Sequence, residues 1–180
     1  VLIPRPETRE LVEWIAEDCQ LEDPCKILDI GTGSGCIAIS LAKLLRQAEV
    51  EAWDVSEGAL QVARRNAERN QVDVLFRKMD VLGDVPEGML YDVIVSNPPY
   101  IAEKEKPQME HNVLDWEPSI ALFVPDEDPL LFYRRIAQLG GSMLKKGGSL
   151  YYEINQAYGQ ETMEMLASMG YQSIEVRKDV

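Results

Sequence analysis

The chain has 180 residues, 46% of them hydrophobic, and sets 18 Lys and Arg against 31 Asp and Glu for a formal charge of −13. That length suits one domain, residues 1–180, with a sizeable core. The acidic balance argues against tight general binding to a phosphate backbone, which needs clustered Lys and Arg. A protein or peptide partner therefore fits better than nucleic acid. No apolar run approaches a membrane span and no signal peptide is visible, so the expectation is a cytoplasmic protein without a membrane partner. Cys19, Cys25 and Cys36 are odd in number and lack C-x-x-C spacing, and His111 is the single histidine, so no metal site is expected.

In chain order, residues 7–19 carry Leu11, Val12, Ile15 and Ala16 at helical spacing. Ile27-Leu28-Asp29-Ile30-Gly31-Thr32-Gly33-Ser34-Gly35-Cys36, followed by an apolar-periodic stretch to Leu45, reads as strand, glycine turn and helix. Glycines let a backbone press against a ligand, and the following helix N-terminus points N–H groups at it. A dinucleotide fingerprint needs G-x-G-x-x-G; here the third glycine is Gly35, giving G-x-G-x-G, which makes pyrophosphate the less favoured ligand. Cys36 on the first helical turn reads as a small packing residue, although that position can lower a thiol pKa.

Val50 to Asp54 reads as a second strand ending in an acid 19 residues beyond Gly35. Asp54 there either accepts two hydrogen bonds from a ribose diol or caps the next helix. Ser56 reads as the N-cap of a helix over 57–70 whose stripe includes Leu60, Val62, Ala63 and Ala67. Val74 to Phe76 reads as the third strand and Tyr91 to Ser96 as a buried fourth. Asn97-Pro98-Pro99-Tyr100 follows it. Neither proline has an N–H and both fix φ, so this loop is a stiff set of acceptors, the Asn97 amide oxygen among them, suited to an NH2 group; taken alone it reads equally as a stiffened turn. Residues 101–128 read as a long surface excursion. A helix is expected from Pro129 or Leu130 to about Leu139, a fifth strand over 149–154, a helix over 159–169 whose methionines pack, and a sixth strand over 172–176. Helices and strands thus alternate as in an α/β doubly wound sheet.

The G-x-G-x-G turn, the acid ending the second strand and Asn-Pro-Pro-Tyr after the fourth together resemble class I S-adenosylmethionine-dependent methyltransferases acting on planar nitrogen. Ile3-Pro4-Arg5-Pro6-Glu7-Thr8 and Trp116 to Phe123 narrow the resemblance to the glutamine N5-methyltransferases of peptide chain release factors. The resemblance implies a Rossmann-like, mostly parallel sheet with helices on both faces, preceded by a helical domain of about 80 residues and continued into a last strand beyond this chain. It implies S-adenosylmethionine as cofactor, S-adenosylhomocysteine as product and release factors as partners. Gly31, Thr32, Gly33, Ser34 and Gly35 match the turn around the methionine part, Asp54 the ribose acid, and Asp80 with Val81 the pair near adenine. Asn97, Pro98, Pro99 and Tyr100 match the motif holding the substrate glutamine, with Asn97, Pro98 and Tyr100 in catalytic positions and Asn97 also bordering the cofactor. The chain departs from the pattern at Val81, where an aromatic is common, at Arg9, where a glutamate is common, and at Asn155, which replaces a frequent glycine. Alternatives are an exocyclic amino group of a nucleic-acid base as substrate, and a cofactor-binding module without transfer.

Overall fold

The computed structural model describes residues 6–19, 24–99, 101–102 and 123–178. Helix α1 (Pro6–Asp18) leads into strand β1 (Cys25–Ile30), helix α2 (Cys36–Leu44), strand β2 (Ala48–Asp54), helix α3 (Glu57–Asn70), strand β3 (Leu75–Lys78) and strand β4 (Tyr91–Ser96). Two short strands, β5 (Ile101–Ala102) and β6 (Phe123–Val124), pair with each other at the ends of what the sequence suggested was an irregular excursion. Helix α4 (Leu131–Met143), strand β7 (Leu144–Tyr152) and helix α5 (Gly159–Ser168) complete the order. The main sheet runs β3-β2-β1-β4-β7, and each of its described pairings is parallel. None of the described helices is long and apolar enough to cross a membrane.

Two apolar layers sandwich the sheet, as expected where strands are buried on both faces. One layer joins Leu11, Val12 and Ile15 of α1 to Ile37 and Leu41 of α2 over Ile27, Val50, Val93 and Val95. The other joins Ile136, Leu139 and Met143 of α4 to Leu28, Ile30, Trp53, Tyr91 and Ile94. Each fully buried Ile or Leu contributes about 1.5–3 kcal/mol relative to exposure. Within this apolar setting lies a buried carboxylate. Glu51 accepts from Trp53 Nε1 at 2.8 Å and from Tyr91 Oη at 3.0 Å, and it pairs with Arg77 at 2.7 Å. These donors offset the cost of burying its charge.

Several element bounds differ from the sequence reading. β3 starts at Leu75 and runs through two basic residues, because Arg77 reaches across to Glu51 on β2. α4 continues through Gly140 and Gly141 to Met143, since Tyr171 packs closely against Gly140 where a side chain would not fit. Residues 172–176, expected as a strand, form none. Ser173 takes a left-handed φ of +54° that interrupts an extended run, and the Tyr171 hydroxyl donates to the Ala137 carbonyl of α4 at 2.6 Å. A cleft of about 660 Å³ lies between this segment, α5 and β7, with Ser149, Tyr151, Leu166, Ile174 and Val176 on its walls.

The sheet order places a topological switch point between β1 and β4. Connections from β1 run outward through β2 to β3, then return to β4 on the other side. In open α/β sheets ligands bind outside the carboxyl ends of the strands at this point.

Candidate functional site

At the carboxyl end of β1 the chain turns through Gly31, Gly33 and Gly35 with φ of +74°, +57° and +82°. Side chains rarely adopt such angles. At Gly35 a second constraint applies, because a Cβ would stand 2.9 Å from Ile39 Cδ1 and 3.1 Å from Ala63 Cβ, where α2 and α3 close on the turn. The turn is held from outside. Gly31 and Thr32 N–H both donate to the Trp53 carbonyl, at 2.8 and 2.9 Å, and Asn66 of α3 donates to the Ser34 carbonyl at 3.0 Å. Gly35 caps α2 without offering a side-chain acceptor.

Asp54 ends β2 beside this turn. Its Oδ2 accepts from Gly33 N–H at 2.9 Å and its Oδ1 from Ser56 N–H at 2.9 Å. The cap of α3 is Ser56, whose Oγ accepts from Ala59 N–H at 3.2 Å. Asp54 therefore joins the glycine turn to β2 and does not cap the helix. Each carboxylate oxygen keeps further acceptor capacity for a ligand.

Asp29, which the motif reading passed over, lies beneath the turn. It is 1% exposed; its Oδ2 accepts from Thr32 Oγ1 at 2.6 Å, while Oδ1 has no hydrogen-bond partner. Burial pushes its carboxyl up to about 7, the Thr32 hydroxyl and the Ala38 N–H oppose that rise, and the neighbouring Asp54 charge adds to it. A buried acceptor without a donor is costly.

The second such atom is Asn97 Oδ1, also buried and also without a partner. Asn97 follows β4 directly, and β4 is tied to β1 where Ser96 Oγ donates to the Ile30 carbonyl at 2.6 Å. Asp29 and Ile30 stand opposite Val95 and Ser96 in the sheet register. Asp29 and Asn97 thus bring two orphaned acceptors to adjacent strand ends at the switch point. Pro98 is buried and Pro99 half-buried. Tyr100 and His111 lie outside the described residues.

On the other flank, Met79 N–H donates to the Asp54 carbonyl at 2.9 Å, which carries the chain on to Asp80 at the end of β3. Asp80 is exposed, with Oδ1 accepting from Leu82 N–H at 2.9 Å, and Val81 is half-buried. This turn is clasped by Arg135 of α4, whose Nε and Nη2 donate to the carbonyls of Val81 and Gly83 at 2.8 and 2.9 Å.

The positions departing from the family pattern also have local explanations. Arg9 is exposed and pairs with Glu13 one turn on at 2.7 Å. Asn155 caps a short 3₁₀ turn (Gln156–Tyr158), its Oδ1 accepting from Ala157 N–H. Cys36 packs against the core layer under α1 and α2, and burial pushes its thiol up. Thr8 of the opening segment donates to Glu153 Oε2 at 2.8 Å, just past β7.

The described crevice thus has a flexed main-chain cradle, two carboxylates at the ends of β1 and β2, a third at the end of β3, and a stiff acceptor loop after β4. That set fits a cationic, ribose-bearing ligand on one side and an NH2 group on the other.

Comparison with known proteins supports this architecture. Over its full length the chain is 59% identical to a release factor glutamine methyltransferase of Bacteroides thetaiotaomicron, covering 64% of that protein. It is 50% identical to the one of Flavobacterium psychrophilum over 99% of this chain and 64% of that protein. The chain therefore spans a little under two thirds of these curated relatives. Among solved structures, a ribosomal protein L11 methylase from Lactobacillus delbrueckii subsp. bulgaricus superposes with a TM-score of 0.69 at 24% identity over 98% of this chain and 76% of that one. A methyltransferase from Pyrococcus furiosus superposes at 0.66 with 21% identity over 99% and 82%. At those identities the likeness speaks to the fold, which is the Rossmann-like one of class I methyltransferases. The family model described as methyltransferase small domain matches residues 7–116, from α1 through the glycine turn, Asp54 and the Asn97 loop. On that match the chain belongs to the methyltransferase small domain family.

Proposed function

We propose that this chain is the catalytic domain of an enzyme that methylates the side-chain amide nitrogen, N5, of the glutamine in the Gly-Gly-Gln motif of peptide chain release factors. The observation that carries the proposal is Asn97 Oδ1, buried and without a donor, beside two prolines that contribute carbonyls but no N–H. The printed names of the relatives supply the substrate class.

S-adenosylmethionine, when bound, supplies an electrophilic methyl group on a sulfonium and leaves as S-adenosylhomocysteine. The residues that would hold it are the Gly31–Gly35 turn, Asp54 toward the ribose, and Asp80 with Val81 toward the base. Val81 offers an apolar wall smaller than an aromatic. Asp29 places a carboxylate under the turn, where a ligand cation would favour its ionised form.

An amide nitrogen is a poor nucleophile because its lone pair is delocalised into the carbonyl. Asn97 Oδ1 and the Pro98 carbonyl accept its two N–H groups, orient the nitrogen and stabilise the positive charge that develops on it. Proton loss to solvent follows transfer. No strong general base is needed.

The test is mass mapping of a release factor after incubation with the full-length protein and S-adenosylmethionine. A single added methyl on the Gly-Gly-Gln glutamine is expected. Methylation at another residue, with that glutamine unchanged, would refute the glutamine assignment.

A further inference from the structure

Away from the crevice, at the opposite end of β1, two thiols meet. Cys19 follows α1 directly and Cys25 opens β1; both are free, both are half-buried, and their sulfurs stand 3.5 Å apart. Both pack against the core layer under α1 and α2. A cavity of about 200 Å³ opens onto the pair, walled by Asp18, Pro24, Asp92, Ser149 and Tyr151. Small molecules thus have a route to the sulfurs. Among the described residues no third Cys, His, Asp or Glu joins them in a metal-holding cluster.

The two thiols are not equivalent. Either sulfur can donate in this contact; with the shared proton on Cys25, the Cys19 thiol lies below its ordinary value and Cys25, with burial, above it. The charged groups facing the pair are Asp18, Asp92 and Lys145. Asp18 opposes the thiolate at Cys19, Asp92 opposes it at both, and Lys145 favours it at Cys25. Asp18 is engaged by the Tyr151 hydroxyl at 2.6 Å, and Asp92 by Lys26 N–H at 2.8 Å and Lys145 Nζ at 3.0 Å. With the shared proton on Cys25, Cys19 is the attacking sulfur and Cys25 the resolving one.

We propose that Cys19 and Cys25 form a dithiol site that reacts with a small hydroperoxide and closes to an intramolecular disulfide, fastening the end of α1 to the start of β1. The Cys19 thiolate attacks a peroxide oxygen; the O–O bond breaks, the leaving oxygen takes a solvent proton, and Cys19 becomes a sulfenic acid. The Cys25 sulfur then attacks Cys19; the S–S bond forms, the S–O bond breaks, and hydroxide leaves as water with the Cys25 proton. Two thiols lose two electrons, and one hydroperoxide is reduced to an alcohol, or water, plus water. The sulfurs need to approach by only about 1.5 Å to reach bonding distance.

The site is separated from the glycine turn by the length of β1, about 20 Å at strand rise. Oxidation is therefore expected to leave crevice chemistry intact, and this proposal stands independently of the proposed substrate.

The experiment treats full-length protein with one equivalent of hydrogen peroxide, blocks remaining thiols with N-ethylmaleimide and digests with trypsin. The peptide Glu10–Lys26 contains both Cys19 and Cys25 and no other cysteine. Expected is that peptide unalkylated and lighter by two hydrogens, with a melting temperature raised by about 5 °C in the intact protein. In Cys25→Ser, Cys19 should accumulate sulfenic acid captured by dimedone, whereas Cys19→Ser should react at least about tenfold more slowly. Full alkylation of both cysteines in the treated wild type, cross-linking between molecules, or equal rates for the two variants would overturn the proposal.

Discussion

Replacing Asp29 by Asn tests whether that carboxyl is held against its charge. In the folded chain it titrates near 7, against 3.8 for an unhindered aspartate, chiefly because it is buried. A raised acid pKa means that the folded state binds the proton more tightly than the unfolded one. Stability is then unaffected below about pH 4, falls as pH rises from there to 7, and is flat above. At 1.36 kcal/mol per pH unit the whole loss is on the order of 4 kcal/mol, of which roughly 2.6 kcal/mol falls between pH 5 and pH 8. Asn keeps the shape and the acceptor for Thr32 but cannot ionise. Its extra N–H pair needs acceptors, at a cost independent of pH. The diagnostic quantity is therefore the change with pH of the variant's stability relative to wild type. Urea unfolding of the ligand-free proteins at pH 5 and pH 8 should show Asp29→Asn gaining about 2–3 kcal/mol on wild type over that interval. A difference that stays constant within about 0.5 kcal/mol would refute the claim that Asp29 is buried and neutral near pH 6.

Three further outcomes follow from the site. Asn97→Ala should lower kcat for methyl transfer on the order of 10²-fold or more, as for loss of one preorganised charge-stabilising group, with the cofactor dissociation constant changing less; single-turnover rates and calorimetry separate the two. Gly35→Ala meets both a left-handed φ and a close Ile39–Ala63 wall, so it should cost about 2–3 kcal/mol in urea unfolding and weaken cofactor binding together. Arg135→Ala frees the carbonyls of Val81 and Gly83 and should raise the cofactor dissociation constant about three- to tenfold while leaving the single-turnover rate at saturation near wild type.

What was legible in the sequence was what local physics determines. The Gly31–Gly35 turn needs left-handed angles that only glycine adopts freely, and Ser56 caps the helix that begins one residue later. The strand pattern puts Asp54 at the end of β2, but its Oδ2 contact with Gly33 N–H joins segments 21 residues apart, and no local pattern reveals it. Asn66 and Arg135 carry no local signal for the same reason: their targets lie 32 and 52–54 residues away. In the sequence Asp29 is one residue of an apolar strand, and only the three-dimensional burial of its carboxyl marks it. The misread strand over 172–176 had suitable residues, yet strand form depends on a partner, and Ser173 with Tyr171 directs that segment toward α4. The helix end at Gly140–Gly141 was misplaced because a close packing neighbour outweighs glycine's poor propensity.

The proposed activity of the intact protein is methylation of a protein glutamine, with the Asn97 loop holding the amide. The direct measurement is methyl transfer from labelled S-adenosylmethionine by the full-length protein, offered in parallel a release factor, its Gly-Gly-Gln→Gly-Gly-Ala variant, and bulk RNA and DNA. Label on the unaltered factor alone is the expected result. Label on RNA or DNA, or equal label on the Gly-Gly-Ala variant, would contradict glutamine as the target.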